Sequence, residues 1–220
     1  MKKDAESIQK EITKRKIDCL VHFTPTINLL GIYECGAIIP RNELTNCAVF
    51  NIEMADYVQF PDKYRFDGKS YINTSIQRPN KLLFSRFIEN KKDESFIRWC
   101  IIKIDTKYIL KDNTLFSVTN AANKYNRTYI GIDGTFEKFR QMFAEKMEIQ
   151  SSTSCRILTR LFLPPNFTTD EQAEVLVKDH IQVADFISVI FQNKDDLATT
   201  KAALSEYECN NFVVDSTMFP

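Results

Sequence analysis

The stretch "FIRWCIIKID" (96–105) constrains the fold more than any other part of the chain. Three consecutive apolar residues, Cys100 to Ile102, would bury both faces of an extended segment. A strand apolar on both faces is covered on both sides and belongs in the middle of a sheet. Shorter β-type runs accompany it: "CLVHF" (19–23), "SYINTSI" (70–76), "RILTRLFL" (156–163), "FISVIFQ" (186–192) and a last one in "NFVVDSTMF". Helical patterns occupy residues 4–16, where Ile8 and Ile12 form the apolar stripe, and about Asp195 to Tyr207. In "TINLLGIYECG", Thr26 can cap a helix presenting Ile27, Leu30 and Tyr33, and Gly36 can take the left-handed conformation that ends it. The strongest helical pattern is "TFEKFRQMFAEKME" (135–148), with Thr135 as cap and Phe136, Phe139, Phe143 and Met147 on one face. Residues 41–69 and 113–134 read as loops. The sum is an α+β fold in one domain spanning residues 1–220, with helices early and strands concentrated late.

Composition narrows the function classes. Hydrophobic residues make up 44% of the 220, with 17 Phe, enough for a real core. Lys+Arg and Asp+Glu balance at 29 each, so only a local basic strip could attract nucleic acid. No apolar run approaches the roughly 18 residues of a membrane span, and "MKKDAESIQKEITKRK" lacks the apolar core of a signal peptide. The six cysteines form no C-x-x-C pair, which predicts reduced thiols in a cytoplasmic protein. With only His22 and His180 available, far apart, no metal centre is expected.

Three constellations can carry chemistry. In "HFTPTINLLGIYECG", alternation puts His22 and Thr24 on the same side of a strand, and Asn28 opens the helix beyond. That helix N-terminus presents free N–H groups to a phosphate. The plainer alternative makes His22 a satisfied core histidine and the threonines caps. In "SYINTSIQRPNKLLF", Arg78 and Lys81 flank a Pro-Asn turn, a placement that suits a pyrophosphate but also an ordinary solvated turn. In "TTDEQAEVLVKDHI" (169–182), Glu174 sits among Val175, Val177, Ile181 and Val183, which favour a strand holding a carboxylate at a cleft. Thr169 and Gln172 also satisfy a capping box, which would make Glu174 an exposed helix residue. His-x-Thr is half of the two-histidine phosphoesterase signature, but His180 lies in "HIQ" and supplies no second half.

Together these segments resemble the DarT family of NAD-dependent nucleic-acid ADP-ribosyltransferases, the toxins of DarT–DarG systems. His22, Thr24, Asn28, Leu29, Ile32 and Gly36 match its H-x-T-x-x-x-N-L-x-x-I-x-x-x-G opening. "YINTSIQRPNKLLF" looks like its strand-plus-turn, "NTLFSVTNAAN" like its Asn-Ala-Ala loop, and "DEQAEVLV" like its Gln-Ala-Glu strand. The Ser-Ile/Pro-Asn and Asn-Ala-Ala segments are closer to the guanine-directed branch than to the thymidine-directed one, and Arg78 falls one position earlier than the arginine of the latter.

The resemblance implies a mono-ADP-ribosyltransferase-like fold, two small splayed β-sheets with flanking helices around an NAD cleft. It implies NAD as co-substrate, Glu174 and Arg78 as catalytic residues, and His22, Thr24, Asn28, Leu29, Gly36 and Arg78 as the NAD site. The acceptor would be single-stranded DNA, with RNA a competitor, held by Phe167 stacking on a base and by Lys124 and Arg127 on phosphates. For Lys124 and Arg127 an ordinary solvated loop is the alternative. A cognate DarG-like antitoxin in a toxin–antitoxin or phage-defence system would be the protein partner, and no membrane is involved. Two other classes stay open: a transferase of the same fold acting on protein, and an inactive binding module on the same scaffold.

Overall fold

The computed structural model describes residues 2–46, 70–94, 96–151 and 154–220. Helix α1 (Ala5–Arg15) precedes strand β1 (Leu20–Pro25), helix α2 (Asn28–Glu34), the short β2 (Ala37–Ile38) and a 3-10 turn at Arg41–Asn46. Then come β3 (Ile72–Ile76), α3 (Lys81–Asn90), β4 (Trp99–Ile104) and β5 (Leu115–Ser117). A π-helical turn (Asn126–Ile130) leads to α4 (Phe136–Gln141) and the hairpin β6 (Lys146–Gln150) with β7 (Cys155–Thr159). The chain closes with β8 (Glu174–Val177), β9 (Ile181–Gln182), β10 (Phe186–Phe191), α5 (Lys194–Ala203) and β11 (Phe212–Val214).

Seven strands run in the order β11-β10-β4-β1-β3-β8-β5, and β2-β9 and β6-β7 form two-stranded ribbons. β4 is central, as its sequence requires: Cys100, Ile102 and Ile104 enter the main core, and Ile101 enters a second cluster with Phe84 of α3, Val21, Ile190 and Phe219. Phe84 is fully buried there and stacks on Phe23 at 4.4 Å between ring centroids. Along its six residues β1 pairs with β4, whereas it meets β3 at two positions only, Leu20↔Ile76 and Val21↔Ser75. β3 then pairs with β8 through Ile72↔Val177, Asn73↔Leu176 and Thr74↔Val175. The seven strands therefore behave as two small sheets that share a narrow join and splay apart beyond Val21. This is the mixed α+β architecture expected from the sequence.

Several local expectations change. Thr26 does not cap α2 with its side chain; Ile27 is the N-cap residue and the Thr26 carbonyl accepts from Leu29 N at 3.0 Å. The buried face of α2 is Leu29 and Tyr33, and Ile27 and Leu30 are exposed. Gly36 does adopt positive φ, 69°, directly after the helix. The helix expected over 135–148 stops at Gln141, and Met147 belongs to β6. Residues 113–134 contain β5 and the π-helical turn rather than loop alone. Arg41–Asn46 is helical, and the rest of the loop expected over 41–69 lies outside the described residues up to residue 70. Cys19, Cys100, Cys155 and Cys209 are free thiols, but Cys35 is disulfide-bonded, which corrects the expectation of thiols throughout. Among the described residues no helix is long and apolar enough to cross a membrane, and no cluster of three or more His, Cys, Asp or Glu could hold a metal.

Candidate active site

β1 and β3 part after two ladder positions, which opens the candidate cleft, and His22 stands where the ladder ends. Its Nδ1 reaches the Asn73 carbonyl of β3 at 2.8 Å, so a side chain continues the contact after backbone pairing stops. A carbonyl only accepts, so Nδ1 carries the proton and Nε2 of the neutral ring is left as an acceptor. Burial lowers the His22 pKa, and the bond to Asn73 opposes that shift. The ring is thus kept neutral, with one lone pair free to take a hydroxyl hydrogen. Two residues on, buried Thr24 accepts from Asn28 Nδ2 at 2.9 Å, tying the end of β1 to the start of α2.

This wall leaves polar atoms unmatched. Asn28 Oδ1, Asn73 Oδ1 and Arg78 Nε are buried with no hydrogen-bond partner among the described residues. Each such group costs on the order of 1–3 kcal/mol if nothing satisfies it, so these atoms are candidates for contacts to a polar ligand. Arg78 leaves β3 through Gln77, a non-glycine residue at φ 64° whose side-chain Oε1 accepts from Asp18 and Cys19 N–H at 2.6 and 2.9 Å. After this left-handed turn the guanidinium lies 4.6 Å from the Phe167 ring centroid. Burial lowers the Arg78 pKa while Glu171 and Asp170 raise it. Lys81 does not join it: its ammonium donates to Phe219 O at 2.7 Å and Thr217 O at 3.0 Å, so the expected Arg78–Lys81 phosphate clamp is not formed.

β8, the neighbour of β3 in the sheet, carries Glu174. It is the first residue of β8, not a helix residue: Thr169 Oγ1 donates to Ala144 O and Gln172 N to Asp170 Oδ1, so no capping box forms. Glu174 is only 4% exposed, deeper than the cleft mouth expected for it. Its Oε2 accepts from Ala121 N at 2.9 Å, and its strand register places it opposite Ser117. The "SVTNAAN" segment therefore acts as a bracket for the acid. Asn120 Oδ1 accepts from Ala122 N at 2.8 Å to make the turn, and Ser117 Oγ accepts from Asn126 Nδ2 at 2.7 Å.

A second buried carboxylate, Asp170, fixes the loop before β8. It is 1% exposed and accepts from Thr119 Oγ1 at 2.7 Å, Arg156 at 2.9 Å and Gln172 N at 3.0 Å. One turn further along the hairpin, Arg160 donates to the carbonyls of Phe167, Pro164 and Pro165 at 2.6, 2.9 and 3.3 Å. Neither Asp170, Arg156, Arg160 nor Ala121 N–H was singled out from sequence. Asp170 had a faint signal, as an Asx turn two residues before Gln172; a backbone N–H has none.

The remaining candidates divide. Leu29 is fully buried, and its side chain packs in the core beneath the cleft instead of lining it. Gly36 ends α2, and its carbonyl accepts from Val183 N at 2.9 Å. Phe167 is half-buried with one face taken by Arg78, so only its other face is open to a base. Lys124 is exposed, while Arg127 is half-buried with an unpartnered Nε. His180 pairs with Glu43 at 2.7 Å on the surface.

The fold has counterparts among solved structures. The DarT of Thermus sp. 2.9 in complex with carba-NAD+ superposes with a TM-score of 0.58 at 11% identity, covering 91% of this chain and 97% of that one. The same DarT in complex with ADP-ribosylated ssDNA gives 0.54 at 11% identity, over 93% and 97%. Thermosipho africanus DarTG in complex with ADP-ribose gives 0.52 at 14% identity over 92% of this chain, which spans only 51% of that protein. At such identities these likenesses establish the fold. No curated protein matches by sequence. The model of the family described as "ssDNA thymidine ADP-ribosyltransferase, DarT" matches residues 21–219, from the strand that carries His22 to the last core aromatic, Phe219. With nearly the whole chain matched, this protein belongs to the DarT family of NAD-dependent single-stranded-DNA ADP-ribosyltransferases.

Proposed function

We propose that this chain transfers ADP-ribose from NAD to a base of single-stranded DNA, with Glu174 as the catalytic carboxylate and the β1/β3 wall as the NAD cradle. The observation that carries the reading is a buried acid, fixed by Ala121 N–H, together with unmatched polar atoms on β3, its exit turn and the start of α2. NAD supplies a ribose whose bond to nicotinamide is already activated. His22 Nε2 accepts from a ribose hydroxyl, Asn28 Oδ1 and Asn73 Oδ1 accept from other donors of the dinucleotide, and Arg78 faces the diphosphate. As the C1′–N bond breaks, nicotinamide leaves with the electron pair and positive charge grows on the ribose. Glu174 stabilises that charge and takes the proton released when the base attacks C1′. Single-stranded DNA is the acceptor form because a base in a duplex must first be unstacked.

The acceptor base is the finer question. The Ser75-Ile76/Pro79-Asn80 and Asn120-Ala121-Ala122 segments support guanine, and the family description supports thymidine. We take guanine as the reading. Mass spectrometry of short DNA oligonucleotides, each lacking one base, tests it after incubation with NAD: a mass gain lost only without guanine supports it, and one lost only without thymine replaces it. Matched RNA oligonucleotides and a protein fraction in the same experiment should stay unlabelled. Expression of the active protein is toxic on this reading, and a DarG-like antitoxin partner relieves it.

A further inference from the structure

We propose that the π-helical turn Asn126–Ile130 is a stacking platform for a nucleotide neighbouring the modified base, with Tyr129 as the stacking ring and Lys124 and Arg127 facing the adjoining phosphates. This rests on the transferase reading above and adds a subsite to it. Tyr129 is 74% exposed, a large aromatic ring turned to solvent. Its inner side is supported by Tyr125, at 4.9 Å between centroids with the planes 40° apart, so the ring is held while its other face stays open.

Charge favours an anionic strand as occupant. From Thr114 to Ile132 the chain contains no acidic residue, and its only charges are Lys124 and Arg127. An exposed ring beside two cations is how single strands are bound without base-specific hydrogen bonds. The chain as a whole is electrically balanced, so this basic strip is local and not part of a general field.

Location favours the acceptor. Asn126, inside the turn, donates to Ser117, the residue paired with Glu174, and Asn123 Nδ2 donates to Gln150 O at 3.1 Å, bracing the turn against β6. The same segment supplies the Ala121 N–H that holds Glu174. The platform and the N–H that holds Glu174 are thus two ends of one short, cross-braced piece of chain. π-helical turns are rare and concentrate at functional sites. This one is ended by Gly131 at φ 84° and ψ 160°, a conformation open essentially to glycine alone, which fixes where the Tyr129 ring stops.

The test is anisotropy binding of a short labelled DNA oligonucleotide to the full chain, with Tyr129→Ala and Tyr129→Phe beside wild type and a melting curve for each. Loss of one base stack predicts binding between about 5- and 150-fold weaker for Tyr129→Ala and near-normal binding for Tyr129→Phe. NAD cleavage without acceptor should not change. In a series of oligonucleotides with one abasic position each, the alanine penalty should vanish at one position beside the target base and persist elsewhere. Wild-type affinity in a folded Tyr129→Ala protein, or an equal penalty across the whole abasic series, overturns the platform. If wild type binds DNA through Tyr129 yet attaches no ADP-ribose, the transferase reading fails and the platform stands. If wild type modifies DNA and Tyr129→Ala does so with unchanged KM, the platform alone is lost.

Discussion

On the β8 side of the cleft each carboxylate is met by donors: Glu174 by Ala121 N–H, and Asp170 by Thr119, Arg156 and Gln172 N–H. On α2 and on β3 with its exit turn, Asn28 Oδ1, Asn73 Oδ1 and Arg78 Nε are buried without a partner among the described residues. The two acids are held by the protein itself, whereas these three groups keep their capacity for whatever enters. A group meant to act on charge that appears only during reaction gains from being fixed beforehand, since no reorganisation is then needed as charge develops. Groups meant to bind must keep their hydrogen-bonding capacity unspent. The two walls should therefore respond differently to substitution, one in rate and the other in affinity.

The largest effect is expected from Glu174→Gln. The amide can still accept from Ala121 N–H, so fold and NAD affinity should hold while the charge and the proton acceptor are lost. Single-turnover transfer to DNA should fall by on the order of 10²–10⁴, with a melting temperature close to wild type. A folded Glu174→Gln protein with wild-type rate would break the assignment of the acid to this wall.

His22→Ala probes the other wall. It removes one acceptor for the ribose and the tie to Asn73, and a net hydrogen bond is worth about 0.5–1.5 kcal/mol. Calorimetry should show NAD binding weakened up to about tenfold, with the transfer rate at saturating NAD changed less than by Glu174→Gln. Equal NAD affinity in the folded variant would remove His22 from the cradle.

The smallest effect concerns pH. Burial holds the folded His22 pKa below its ordinary 6.5. Between the two values the unfolded chain binds more protons than the folded one, so stability falls as pH drops below about 6.5 and levels off below the folded value. Urea midpoints at pH 7.5 and 5.5 should differ more in wild type than in His22→Asn. An unchanged difference would mean that the ring is not held neutral.

Much of this architecture could be read from residue pattern, and the failures have specific causes. β4 was legible because three consecutive apolar residues leave no solvent face, and β8 because Val175 and Val177 outweigh the capping-box letters around them. The helix at 135–148 was overextended because Phe136, Phe139 and Phe143 keep helical spacing and Met147 continues it by chance. Past Gln141 the chain turns, and Met147 and Ile149 alternate in a strand instead. The residues proposed for the NAD side could be nominated because their own side chains would carry the chemistry. The support for Glu174 could not, since it comes from the main chain of Ala121 and from contacts between segments distant in sequence. Lys81 shows the converse error: a cation in a suitable turn, spent on the carbonyls of Thr217 and Phe219.

The narrow join between β1 and β3 also has a mechanical consequence. Two ladder positions, the His22–Asn73 contact and the Gln77 bonds to Asp18 and Cys19 join β1 to β3, and so the strand of His22 to the sheet that holds Glu174. Local opening follows the fewest bonds, so this seam is where the molecule yields first, while β4, paired along its length on both sides, stays closed until global unfolding. A dinucleotide lying across the seam would act as a rivet. Its presence should slow amide exchange on both sides of the cleft at once, and its consumption would release them together.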